Sequence, residues 1–393
     1  MRPAPGSAAG RARILAAATA AAACIAGCGP AASQPGPARP PAVPPSLDTS
    51  AVTAGGTWAA IVMGGSSAQN NAFGQLFVRP AGSSAWKLVT PPGVATNGGL
   101  VLAGQDGRSL LAGFRPGVDL TFSPLTTTSD DGTHWSAASL IQAGLADVPD
   151  ALAAAPGSGP LLALAQGGIA VESASSGAAW TQLATARSLA ASAAGRRCSP
   201  TTLTAISFTP AGAPLAAGTC ARPGVAGIFT RSAGTWQAAG PVLPASLAGQ
   251  ATEVLRLTST PAGNAALLIA GTGNTASLLT AWTAGGGTSW TISAPLHLRA
   301  GTIRSSGFGA GGAVWVILDG GRAAAISSTG GTWRSLPALP AGTATLAFGP
   351  AGSLDALTVT NGVKLADWRL AAGSSAWAKT QTITVPIEYG SSG

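Results

Sequence analysis

Charge is scarce in this chain. Charged side chains make up 9% of 393 residues, where an average soluble domain carries roughly 25%. Lys occurs only at Lys87, Lys364 and Lys379, and no basic run exceeds the pair Arg196-Arg197. The formal net charge is +8, with 21 basic and 13 acidic residues; without Arg2, Arg11 and Arg13 of the leader, 18 against 13 leaves +5. The remaining positives are scattered, whereas a nucleic-acid binder gathers them on one face, so no nucleic-acid partner is expected. Histidine is nearly absent: His134 and His297 stand far apart, and no cluster has zinc-site or EF-hand spacing. No metal, no cofactor and no histidine-dependent nucleophilic triad is therefore expected. Glycine-rich stretches such as Gly307 to Gly312 lack the Lys-Ser/Thr of a phosphate loop and read as turns. The apolar run from Ile14 to Gly27 falls short of the ~20 residues a membrane span requires. Beyond it, no stretch has amphipathic helical periodicity, and Ala-rich pieces such as SLAASAAG are expected to be loops or strands.

The N-terminus carries an address. A basic segment ends at Arg13, an apolar run follows, and it closes on Ile25-Ala26-Gly27-Cys28. This order suits a secretory signal. The closing tetrad resembles the bacterial lipobox, which implies cleavage after residue 27 and lipidation of Cys28; Cys24 lacks the aliphatic residue at the right offset. An ordinary secreted protein with an incidental cysteine is the alternative. Two acyl chains suffice for stable anchoring. Residues 29–47 hold seven prolines in nineteen positions, which excludes helix and interior strand. An extended Pro-rich spacer at ~3.1 Å per residue reaches about 60 Å. The chain thus divides into a signal peptide (1–27), a lipidated cysteine with tether (28–48) and one large domain (49–393).

In that domain tryptophan recurs. Trp86, Trp135, Trp180, Trp236, Trp290, Trp333 and Trp377 are separated by 49, 45, 56, 54, 43 and 44 residues. Each follows a small-residue turn, and AGSSAW occurs in full twice, at 81–86 and 372–377. Such periods, with several short strands per unit, point to propeller blades. GTIRSSGFG, AVWVILDGG, RAAAISSTGG and TWRSLPALP read as the four strands of the sixth unit. The expected fold is all-β: a monomeric seven-bladed β-propeller of four-stranded antiparallel blades, whose radial stacking buries both sheet faces. The innermost strand of the first blade comes either from about residues 49–56 or from the C-terminal ITVPIEYG.

One turn carries a family resemblance. TSDDGTHW resembles the Asp-box (BNR) pattern at Thr128, Asp130, Gly132 and Trp135; SASSGAAW and TAGGGTSW keep it without the Asp. In Asp-box proteins such as sialidases, xyloglucanases and sortilin-type receptors, this motif closes the hairpin between the third and fourth strands, away from the catalytic face. The resemblance implies a turn-holding role for Asp130. It implies no activity. A sialidase needs a Tyr nucleophile paired with Glu, and the sole Tyr389 adjoins Glu388, so the two point to opposite faces of a strand. A glycosidase using two carboxylates is the alternative function, with Asp119, Asp147, Asp150, Glu253 and Asp319 near turns on the face opposite the Asp-box hairpins; Asp319-Gly320-Gly321 is also an ordinary turn sequence.

Cys198 and Cys220 flank two strands joined by a turn near Pro210 to Pro214. In an exported protein they are expected to pair; two separate buried thiols are the alternative. If the domain binds a ligand, the loops around a central channel are the default place. Those loops carry Arg115, Arg187, Arg196, Arg197, Arg222, Arg299 and Arg322. The sequence thus points to a binding or scaffolding module for a protein or glycan partner, lipid-anchored on the outer face of the cytoplasmic membrane.

Overall fold

The computed structural model describes residues 50–64, 72–91, 100–104, 107–114, 123–141, 151–157, 159–165, 168–173, 179–260, 262–272, 276–298, 303–326 and 331–386. All lie in the second of two compact units, Pro40–Gly393. Cys28, the tether, Arg115, Asp119, Asp147, Asp150, Arg299, Glu388 and Tyr389 lie outside the described residues.

The described chain is a succession of antiparallel meanders. The first sheet holds β1 (Ser50–Thr53), β2 (Gly56–Gly64), β3 (Ala72–Pro80) and β4 (Lys87–Leu88); the second β5 (Leu100–Gly104), β6 (Leu110–Phe114), β7 (Ser123–Thr128) and β8 (Ser136–Ile141). The third holds β9 (Ala151–Ala154), β10 (Leu161–Ala165), β11 (Ile169–Ser173) and β12 (Trp180–Thr185). Two further meanders follow: β13 (Pro200–Phe208), β14 (Pro214–Cys220), β15 (Gly227–Ser232) and β16 (Thr235–Ala238), then β17 (Thr252–Thr260), β18 (Gly263–Ala270), β19 (Ser277–Ala284) and β20 (Thr291–Ile292), with β21 (Leu296–His297) also on β19. A single antiparallel pairing, Thr219 with Glu253, merges these two into one nine-stranded sheet. The last sheets hold β22 (Ile303–Phe308), β23 (Val314–Leu318), β24 (Ala323–Ile326) and β25 (Arg334–Ser335), then β26 (Thr343–Phe348), β27 (Leu354–Thr360), β28 (Lys364–Leu370) and β29 (Ala378–Thr384). Sheet pairing among the described residues therefore yields six sheets, five of them four-stranded. The first meander takes its innermost strand from β1, whose Ser50 to Thr53 pair with Ala59 to Gly56.

Strand alternation assigns each sheet two buried faces. In β23 (VWVIL) every residue is buried, because successive side chains point to opposite faces and both faces are covered. Val314, Val316 and Leu318 pack with Leu267 and Leu278 of the preceding meander. Trp315 and Ile317 pack with Leu346 and Ala356 of the following one. The same division recurs throughout: seven hydrophobic clusters of described residues each join two successive meanders. One of them joins the last meander to the first, with Leu357, Leu365 and Val385 against Ile61, Met63 and Phe77. Each cluster also contains one periodic tryptophan, Trp86, Trp135, Trp180, Trp236, Trp290, Trp333 or Trp377, set between its own meander and the preceding one. An aromatic ring of this size covers much apolar area at such a seam, which is why Trp recurs once per unit.

The two AGSSAW copies adopt one conformation. Both join the third strand of a meander to its fourth. Gly82 and Gly373 each have φ +76, a region that glycine enters without steric cost. Ser83 Oγ accepts from Ala85 N and donates to Ala85 O (3.1 and 3.2 Å), as Ser374 does with Ala376 (3.2 and 3.1 Å).

One expectation fails locally. Ala186–Ala191 forms a short helix, α1, within the Ala-rich stretch read above as loop or strand. Thr185 caps it: its side chain accepts from Ser188 N, while Ser188 Oγ accepts from Thr185 N. That reciprocal pair satisfies two donors otherwise left without partners, and Leu189, fully buried, pins the turn.

Candidate functional site

The inner strands enclose a cavity of about 660 Å³, within the range of ligand sites. Its wall comes from six meanders in turn: β1, the end of β5, the whole of β9, Thr204 to Ser207 of β13, Leu255 to Thr260 of β17, and Phe308 at the end of β22 with Gly309 beyond it. The seventh, β26, contributes nothing to the wall, because β1 and β22 approach each other in front of it. A Cβ on Gly307 would collide with Ser50 Oγ and the Trp315 ring, so glycine there is a condition of the approach. Register shifts at Leu203/Ala205 of β13 and Val254/Arg256 of β17 mark bulges. A bulge re-aims side chains, and here Thr204 and Leu255 join the wall.

The lining is small and neutral apart from one cation, Arg256. Its Nη1 donates to Ser306 O (2.7 Å) and its guanidinium stands 5.4 Å from the centre of the Phe308 ring. The side chain is partly exposed toward the cavity, yet the surrounding protein mass pushes its pKa down to about 9, since burial disfavours the charged form. Among the described lining residues there is no Asp or Glu.

The cavity opens at the strand ends where first-to-second hairpins turn. In an antiparallel meander the third-to-fourth hairpins lie on that same edge, and the ion pair of Arg108 with Asp131 joins one hairpin of each kind. The Asp130 turn therefore shares this edge. Thr128 Oγ1 donates to Asp130 Oδ1 (2.9 Å) and accepts from Gly132 N (3.0 Å), while His134 N donates to Asp130 Oδ1 (2.9 Å). These bonds, with the His134 ring nitrogen 2.6 Å from Oδ2, lower the Asp130 pKa to about 2. Trp135 Nε1 donates to Val89 O (3.0 Å), and its ring meets Trp58 edge-on. Asp130 thus holds a turn and aims at no cavity.

The five described arginines among those expected around the channel occupy the opposite edge. Arg187 lies in α1, Arg196 and Arg197 follow it, and Arg222 lies past β14; all four are exposed. Arg222 Nη1 donates to Arg196 O (2.6 Å), and the Cys198–Cys220 disulfide fastens the two segments together. Arg322 flanks the turn between β23 and β24. None of these five lines the cavity, and neither Glu253 nor Asp319 does. Glu253 is partly buried, and burial raises its pKa. Among the described residues no three His, Cys, Asp or Glu side chains stand together as a metal site would require. Arg256, which sequence reasoning missed, carries no motif; its place follows from the bulge in β17.

A second polar group lies at the seam of the first and last meanders. Buried Arg79 pairs with buried Asp355, donates to Phe348 O (2.6 Å) and Thr57 Oγ1 (3.2 Å), and lies over the Trp86 ring. Arg369 Nε donates to Asp355 Oδ1 (2.8 Å) and its Nη2 to Ser84 O (3.2 Å). Burial, with Arg369 nearby, lowers the Arg79 pKa to about 10. The Gln381 amide clasps the backbone of Trp86, accepting from its N (2.8 Å) and donating to its O (2.9 Å). This group is structural.

No protein-family model matches the chain, and no curated protein sequence matches it. Solved structures do, β-propellers among them. A putative 6-phosphogluconolactonase from Bacteroides fragilis is 12% identical, over 87% of this chain and 97% of that one, with a TM-score of 0.51. YCF48 from Cyanidioschyzon merolae is 13% identical over 81% and 99%, at 0.47. The six-bladed fucose-binding lectin of Aleuria aurantia is 15% identical over 74% and 97%, at 0.37. At such identities the likeness concerns the fold alone.

Proposed function

We propose that this chain is a seven-bladed β-propeller acting as a binding or scaffolding module at the cell envelope. In this reading the two merged meanders count as separate blades. Residues 1–27 export the chain, Cys28 carries the lipid anchor on the outer face of the cytoplasmic membrane, and residues 28–48 hold the ring away from it. The partner is a protein or glycan. The Asp-box resemblance of Thr128 to Trp135 supports the blade assignment, as does the presence of one tryptophan in every seam.

The observation that carries the functional reading is the cavity itself. Six successive inner strands converge on it, and its described wall combines backbone, Ser and Thr hydroxyls, small apolar groups and one cation. Such a wall can recognise a group, while the two-carboxylate chemistry of a glycosidase needs acids that this wall does not supply. Val52 lines the cavity and is 39% exposed, so it reports on occupancy. A photoreactive side chain at Val52 is expected to capture a discrete species in cells, and the same group at Ser335 on an outer strand is not. Equal capture from both positions, or none from Val52, contradicts the proposal.

A further inference from the structure

We infer that the edge bearing Arg187, Arg196, Arg197 and Arg222 docks on an anionic phospholipid surface, with the cavity mouth on the side facing away from it. This goes beyond the cavity reading and draws on the proposed lipid anchor only for what brings such a surface within reach.

The fold gathers charges that stand apart in sequence. Between Glu172 and Glu253 the chain holds five arginines, Arg231 being the fifth, and no acid or lysine. From residue 28 onward the rest of the chain is balanced, with 13 basic residues (18 less these five) against 13 acidic. The net charge of +5 therefore belongs to this one stretch. Arg187, Arg196 and Arg197 lie in the segment that links β12 to β13, and Arg222 in the one that links β14 to β15. In an antiparallel meander both links fall on the edge where first strands begin. All four side chains are exposed, and none forms an ion pair with a described residue. Their backbone is fixed: Arg222 N donates to Cys198 O (2.9 Å), Ala221 N to Ser199 O (3.1 Å), and the disulfide joins the same two segments. The described acids on this edge are Glu253, partly buried at the head of β17, and Asp319, in the turn that Arg322 flanks.

The same edge receives the tether, because β1 begins there at Ser50. Whatever membrane holds Cys28 is thus joined to the ring at its cationic side. An arginine near an anionic leaflet strengthens association by about fivefold, and salt screens the effect. The other edge offers no such excess: Arg108 is paired with Asp131, and Asp130 stands beside His134. The cavity opens at that second edge, so docking through the arginines leaves its mouth free.

The test is vesicle flotation of the chain from residue 28 onward, which keeps every described residue, with Cys28→Ser to remove the acylation site. It is expected to float with vesicles of phosphatidylglycerol and phosphatidylcholine in equal parts, to be released by added salt, and to stay behind with phosphatidylcholine alone. Replacing the four arginines together by Ser should weaken binding by about tenfold or more. Replacing exposed Lys87, Arg334 and Lys379 by Ser, which lie near the heads of fourth strands at the other edge, should leave it nearly unchanged. Arg197→Ser alone should weaken it several-fold and serves as the readout if the fourfold variant fails to fold. A polarity-sensitive fluorescent side chain at exposed Ala193 should shift to the blue on the anionic vesicles, and one at exposed Thr133 should not. No flotation, equal binding to both vesicle types, equal losses in the two sets of variants, or a shift at Thr133 instead of Ala193 overturns the inference. Tighter binding to duplex DNA or inorganic polyphosphate than to the anionic vesicles overturns the lipid class. None of these outcomes touches the cavity reading, which stands or falls with capture at Val52.

Discussion

At the scale of single residues, identical sequence does not mean identical energy. Trp86 and Trp377 end the same six-residue phrase, yet Trp86 is 1% exposed while Trp377 is only partly buried. Removing a fully buried Trp side chain costs about 3–5 kcal/mol through lost transfer energy and the cavity left behind. Denaturant titration should place Trp86→Ala in that range and Trp377→Ala well below it; equal losses would contradict the packing described. Titration separates two carboxylates in the same way. Asp130 has a folded pKa depressed to about 2, so its contribution is complete above its unfolded value, near 3.8, and is lost as pH falls through about 2. Glu253 is the reverse case: burial raises its folded pKa, so the folded state binds its proton more tightly and stability declines as pH rises through that raised value. Glu253→Gln should therefore stabilise the protein at neutral pH, and Asp130→Asn should destabilise it there. Thermal unfolding checks both signs when Glu253→Gln is compared with the parent at pH 4 and pH 7, and Asp130→Asn at pH 2 and pH 7.

At the scale of elements, the legible parts were those with local signals. The strands of the last two meanders, the turn before each Trp and the Cys198–Cys220 hairpin all announce themselves within a few dozen residues. The disulfide closes a loop with a separation of 22 residues, for which chain entropy predicts about 3 kcal/mol. Cys198→Ser should lower stability by about that much, and a reductant should have no further effect on the variant. The short helix escaped because its cap lies in Thr185 and Ser188, a pair whose meaning depends on both bonding at once. Arg79, Asp355 and Gln381 escaped for a different reason: Arg79 bonds Phe348 at a separation of 269 residues and Gln381 bonds Trp86 at 295. No window on the sequence joins them. Arg256 was hidden because a one-residue bulge, invisible in composition, decides where it lies. Removing one member of a buried ion pair leaves the other charge without compensation and costs about 3–5 kcal/mol. Arg369 still pairs with Asp355 when Arg79 is removed, so the variant that shows that loss is Asp355→Leu, which leaves buried Arg79 without its partner. Adding Arg79→Met should recover part of it, as read by denaturant titration.

At the scale of the whole molecule, the proposed lipid anchor and the ring make separate demands. Cys28→Ser should abolish incorporation of a labelled fatty acid and release the chain from the membrane fraction; retention of both would refute the lipobox resemblance. The ring requires that the first and last meanders meet. They do so without sharing a strand: β1 and β29 belong to different sheets, and the seam is held by a hydrophobic cluster, the Arg79 network and the Gln381 clasp. With lysine confined to Lys87, Lys364 and Lys379, an amine-reactive crosslinker long enough to reach across the outer strands reads that seam through their spacing. Lys87 follows Trp86 and Lys379 lies on the same strand as Gln381, although the two side chains leave the seam on opposite sides, Lys87 beside Val78 and Lys379 over the Trp368 ring. Digestion of the monomeric crosslinked protein should yield a Lys87–Lys379 peptide, lost when denaturant precedes the reagent. If that peptide is missing from the folded monomer while Lys364–Lys379 forms, the first and last meanders do not meet and the closed ring is wrong.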